Sequence, residues 1–148
     1  MIRTLAMLMS LLALPIAWAQ GAEGADDATP AYNASLDYAQ VTFVDVTVGA
    51  DGRLRFDVTV RHDDEGWDHY ADAWQVVDPA TGEVLGTREL LHPHVNEQPF
   101  TRSLRGVVVP ENVRHVVVRA RCNVHGFGGR EIRVDLAAEE GPGFTVRR

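Results

Sequence analysis

A thiol and an imidazole stand three residues apart in the stretch Ala120-Arg121-Cys122-Asn123-Val124-His125-Gly126-Phe127-Gly128-Gly129, which closes an alternating run and opens a glycine-rich loop. Cys122 is the only cysteine in the chain. At that spacing, on a tight turn, a thiolate and an imidazole can reach one metal ion. A single C-x-x-H match is common, and taken alone Cys122 is equally a small core residue and His125 a loop histidine. The other histidines make the pair informative. His62 and His69 flank the acidic run Asp63-Asp64-Glu65-Gly66-Trp67-Asp68, and His92 and His94 form Leu91-His92-Pro93-His94. His115 stands apart from both.

Those histidines must be positioned by strands, because the dominant period is two. Val44, Val46 and Val48 alternate with polar residues. After Ala50-Asp51-Gly52 the alternation resumes with Leu54, Phe56, Val58 and Val60, the signature of a hairpin or of neighbouring strands. Further strands are expected at about Tyr70 to Val77, Val84 to Leu91, Phe100 to Val107, Val113 to Cys122 and Arg130 to Leu136. Asp78-Pro79-Ala80-Thr81-Gly82 and Pro110-Glu111-Asn112 turn the chain between them. No segment has a helical period. Seven short strands with regular turns predict an all-β, seven-stranded, immunoglobulin-like antiparallel β-sandwich over residues 37–138. Trp74 falls where such sandwiches often bury a tryptophan, although the cysteine pair of true immunoglobulin domains is missing.

In that topology the connections after the second, fourth and sixth strands gather at one end. His62 and His69, His92 and His94, and His125 fall in or beside those three connections, whereas His115 belongs to the other end. Parity adds a second argument. His62 continues the inward phase of Leu54 to Val60, and Cys122 continues that of Val116, Val118 and Ala120. A soft thiolate and several neutral imidazoles at a semi-buried end suit a transition metal. Copper or iron is favoured and zinc is compatible. Candidate ligands are therefore His62, His69, His92, His94, Cys122 and His125. The nearby Asp63, Asp64, Glu65, Asp68 and Asp72 solvate the loop, orient the imidazoles, or form a hard-cation site. Trp67 and Tyr70 either wall the site or simply pack.

The remaining sequence sets bounds. The chain has 148 residues and a formal net charge of −7, which argues against nucleic acid and anionic membrane surfaces as partners. Residues 1–19 read as a signal peptide, with Arg3, an apolar run to Trp18 and the small-x-small site Ala17-Trp18-Ala19, so export to a periplasm or the medium is expected. Residues 20–36, small and acidic, read as a flexible linker, and residues 139–148, with Gly141-Pro142-Gly143, as a loose tail. A lone thiol in an exported protein must be buried, paired with another chain, or ligated to metal.

Cys122-Asn123-Val124-His125-Gly126 resembles the C-N-x-H-G signature of superoxide reductases, the neelaredoxin and desulfoferrodoxin family. The resemblance implies an immunoglobulin-like sandwich and a non-haem iron held by four histidines and one cysteine, reducing superoxide to hydrogen peroxide. It would make Cys122 the axial thiolate and His125 an equatorial ligand, with His62 and His69 similar to the family's histidine pair. Asp63 stands where the family has a proline, and that pair is spaced one residue wider. No histidine precedes His62 to match the family's first ligand beside its Glu-Lys pair. Three readings follow: a protein that binds one metal and exchanges it or electrons with a redox or metal-transfer partner, a superoxide-reducing iron enzyme, and a metal-free interaction module.

Overall fold

The computed structural model describes residues 31–148. The signal peptide expected at 1–19 and most of the linker lie outside those residues. The described chain folds as β1 (Gln40–Val48), β2 (Leu54–Arg61), β3 (Ala71–Val77), β4 (Val84–Glu89), β5 (Phe100–Val107), β6 (His115–Cys122), β7 (Gly126–Phe127), β8 (Ile132–Asp135), β9 (Glu140–Gly141) and β10 (Phe144–Arg147). One sheet runs β5-β2-β1-β10-β9. The other runs β4-β3-β6, with β7 and β8 pairing successive parts of β6. The all-β sandwich is therefore as expected, and no helix among the described residues is long and apolar enough to cross a membrane.

Alternation drives the packing. Val44, Val46, Phe56, Val58 and Val60 from one sheet, and Trp74, Val76, Val116, Val118 and Val134 from the other, are fully buried against each other. Each such side chain contributes about 2 kcal/mol through removal of its apolar surface from water. The inward phase runs on past the strands as the pattern demands: His62 follows Val60 into the interior, and Cys122 follows Ala120.

The C-terminal segment differs from the loose tail expected of it. Residues 144–147 pair in parallel with β1, and Phe144 and Val146 are buried. Gly143 makes the turn into β10 at a φ of +80°, and its carbonyl accepts the Val44 N–H at 2.9 Å. Thr145 and Arg147 both bond Asp45. Only two large apolar residues mark this strand, and its partner lies about a hundred residues earlier, so no local pattern announces it. Residues 31–36, assigned to the linker, are also tied down. Asn33 N–H donates to Gly128 O, and the buried Gln40 side chain donates to the carbonyls of Asn33, Ser35 and Tyr38.

Candidate metal centre

Three connections and the N-terminal segment meet at one end of the sandwich. His62 enters just past β2, with no exposed surface. Its Nδ1–H donates to Asp64 Oδ1 at 2.6 Å, which turns Nε2 inward, 3.1 Å from the main-chain carbonyl oxygen of Asp37. His69 arrives on a tight hairpin that Gly66 permits with a φ of +119° and that the Glu65 N–H to His69 O bond closes. Its Nδ1 lies 3.3 Å from Glu65 Oε2 and its Nε2 3.3 Å from the same Asp37 oxygen. Cys122 ends β6 with its Sγ 3.3 Å from that oxygen and 3.5 Å from His125 Nδ1. The His125 main-chain N–H donates to Sγ at 3.1 Å. Donor atoms of His62, His69 and Cys122 lie within 4.8 Å of one another. The ring of His125 packs edge-on against that of His69 at 4.9 Å and tilted by 40° against that of Tyr38 at 5.2 Å.

The supporting contacts have separate origins. Asn123 fastens the C-x-x-H turn to the His62–His69 connection, accepting the Tyr70 N–H and donating to the carbonyls of Trp67 and Asp68. Gly128 and Gly129 let the N-terminal segment lie across the loop: a Cβ on Gly129 would stand 2.1 Å from the Ala39 carbonyl oxygen, and one on Gly128 2.7 Å from the Tyr38 ring. That close approach delivers the Asp37 carbonyl. Nothing in the sequence singles out Asp37, since every residue carries such an oxygen.

Asp64 is the hinge of the arrangement. Its side chain has no exposed surface, yet it takes three donors: His62 Nδ1–H, the Ala71 N–H at 3.0 Å and the His94 N–H at 2.6 Å. Burial alone would raise its pKa; the hydrogen bonds from His62, His94 and Ala71 outweigh burial and hold it below the usual carboxylate range. His94 does not join His62 and His69. Its ring stacks on Phe100 at 3.8 Å, lies 4.6 Å from the ring of His92, and has its Nδ1 3.9 Å from Asp64 Oδ2. His92 and His94 thus form a second group, across the carboxylate from the first. His115 sits by Asp135 at the start of β6.

No family model matches the chain. A Halomicrobium mukohataei protein provisionally named a lipoprotein is 44% identical over 132 residues. That alignment covers 84% of this chain, which spans 64% of the relative's length. Among solved structures, the 1Fe superoxide reductase of Giardia intestinalis resembles the chain with a TM-score of 0.41 and 17% identity. That likeness covers 66% of this chain and 99% of the other.

Proposed function

We propose that this protein holds one transition-metal ion, copper or iron, through His62, His69, Cys122 and His125. One observation carries the reading, the convergence of two imidazole nitrogens and a sulfur within 4.8 Å of one another. The Nε2 atoms of two imidazoles and a sulfur surround one carbonyl oxygen at 3.1, 3.3 and 3.3 Å. The carboxylates of Asp64 and Glu65 hold the Nδ1 side of both rings, so Nε2 is left as an acceptor, and a carbonyl oxygen can only accept. Acceptors packed together away from water repel unless protons or a cation lie between them. A carboxylate behind each imidazole is also how metal-binding histidines are oriented. Thiolate with imidazole selects a soft or borderline ion, and zinc remains compatible. When bound, copper or iron would supply an electron-accepting and electron-donating centre. The protein's own part is to hold the rings, donate a main-chain N–H to the sulfur and limit water. A redox or metal-transfer protein is the natural partner. Export, inferred from residues 1–19, agrees with the lipoprotein name of the Halomicrobium relative.

Superoxide reduction is the second reading, favoured by three imidazoles gathered beside the cysteine of C-N-x-H-G. Two features weigh against it. The N-terminal segment brings a main-chain oxygen to the site, where the resemblance calls for an imidazole. All 14 basic residues of the chain are arginine, so no Glu-Lys pair exists.

Elemental analysis of untagged protein, exported from its own signal, tests the proposal. One equivalent of copper or iron is expected, and loss of about 100-fold or more in affinity in Cys122→Ser, beyond the 10- to 100-fold typical of outer-shell changes. A thiolate-to-iron absorption band abolished by that substitution would select the superoxide reading. Protein that never takes up stoichiometric metal leaves the interaction module in its place.

A further inference from the structure

Main-chain oxygens along the segment before β1 are mostly taken up by ordinary donors. The carbonyls of Asn33, Ser35 and Tyr38 accept from the Gln40 side chain, and that of Leu36 accepts the Asp63 N–H. The Asp37 carbonyl keeps different company. Among the described residues its polar contacts are His62 Nε2 at 3.1 Å, His69 Nε2 at 3.3 Å and Cys122 Sγ at 3.3 Å. The bonds on either side of it, with the Tyr38 N–H closing a turn onto Ser35 O at 3.1 Å, fix where this oxygen lies.

A point equidistant from three atoms lies on the axis of their triangle. The Asp37 oxygen, nearly equidistant from two nitrogens and a sulfur, therefore lies close to the axis of the triangle they form. Donor atoms of the three residues are within 4.8 Å of one another, so one ion can serve all three. A carbonyl oxygen carries lone pairs and no proton, as a ligand must. Two imidazoles and a thiolate in a plane, with a weak axial ligand that can be a main-chain oxygen, form the donor set of copper electron-transfer sites. His125 meets this set through the sulfur, its Nδ1 3.5 Å from Sγ. A set of four imidazoles is one ring short here, since His92 and His94 lie across Asp64 and His115 sits by Asp135.

We infer that the Asp37 main-chain carbonyl is the axial ligand of a copper ion whose other ligands are His62, His69 and Cys122. The inference rests on the metal reading given under Proposed function and narrows it, in metal and in donor set. It gives the segment before β1 a chemical task. Gly128 and Gly129 admit that segment, Gln40 ties its other carbonyls down, and the oxygen left over caps the ion. A main-chain ligand also explains why no residue type in the segment announces the role.

The test is a crystal structure of the untagged exported protein loaded with one equivalent of copper(II), the ion being located by its anomalous scattering. The Asp37 oxygen is expected nearer the ion than any water or carboxylate oxygen. In solution, labelling with 13C at aspartate carbonyls and 15N at tyrosine reports Asp37 alone, because Tyr38 is the only tyrosine that follows an aspartate. Its carbonyl resonance is expected to reach a fixed end point at one equivalent of copper(I). Gly128→Ala, whose Cβ would stand 2.7 Å from the Tyr38 ring, should keep copper but lose most of that movement. Copper bound with the Asp37 oxygen turned away, or with water or His125 in the axial place, overturns this inference and leaves the metal reading standing. Iron bound and copper refused does the same. Protein that takes up neither metal overturns both.

Discussion

Asp64 stands between two histidine groups, taking the Nδ1–H of His62 on one oxygen and the main-chain N–H of His94 on the other. Behind His62 the carboxylate fixes the ring and frees Nε2 toward a thiol, a second imidazole and a carbonyl oxygen. Behind His94 its hydrogen bond goes to the backbone, the ring Nδ1 lies 3.9 Å from the carboxylate, and both ring nitrogens lack a hydrogen-bond partner. The two rings are equally deep, at 0% and 2% side-chain exposure, so depth does not separate them. What separates them is the company each ring keeps: His62 stands beside a second imidazole, a thiol and a main-chain oxygen, which together suit a cation, whereas His94 stacks on Phe100 beside Leu90 and Leu91.

The comparison breaks most visibly at Asp64 itself. Removing it in Asp64→Ala strands two main-chain donors and an imidazole in the interior. About 3 kcal/mol of stability should be lost, as when one partner of a buried pair is deleted. Metal affinity should fall with it, by roughly 10- to 100-fold for loss of the group that orients a ligand. Denaturant melting and a chelator competition measure both; a variant with unchanged metal affinity would mean that His62 needs no orienting partner. Gly129→Ala is the next largest change. Its new methyl group collides with the Ala39 carbonyl, so the segment carrying Asp37 must shift, at a cost of about 1–3 kcal/mol by analogy with overpacking. Hydrogen exchange at Tyr38 and Asn33 should rise, whereas the amides of β3 should stay protected.

The His94 side of the comparison is sharpened by pH. Burial, with Arg102 and His92, lowers the His94 pKa below its ordinary 6.5. Below that ordinary value the unfolded chain binds a proton that the folded chain does not. Stability therefore rises with pH up to about 6.5 and is lost as pH falls below it. His94→Phe, which keeps the stack on Phe100, should flatten that part of the curve in urea midpoints taken between pH 5 and 7. The smallest effect is expected at Glu65, whose side chain is 72% exposed. Glu65→Ala should weaken metal binding less than tenfold, because water can replace an exposed carboxylate behind His69. A loss as large as that in Asp64→Ala would show that the two imidazoles lean on their carboxylates alike.

Much of this arrangement is legible in the residue order because it depends on short periods. Period-two runs place β1, β2, β3, β5 and β6, and the same parity carries His62 and Cys122 inward. The topology of a sandwich then brings their ends together. The acidic run beside His62 also reads as a set of orienting groups, and Asp64 and Glu65 take that position. His92 and His94 are indistinguishable from the other histidines by type and by connection. Their separation rests on the stack of His94 on Phe100, which no pattern of residue types encodes.

The amino-acid order by itself settled the class of fold, the end of the molecule where reactive side chains gather, and the inward phase of one imidazole and one thiol, because strand parity is a local property. The tertiary structure decided the rest. It laid the Asp37 carbonyl among the Nε2 and sulfur atoms, left the His94 ring nitrogens without partners, and closed β1 with a strand from the far end of the chain. Each of these depends on which distant segments touch, and contact between segments is set by packing the whole chain at once.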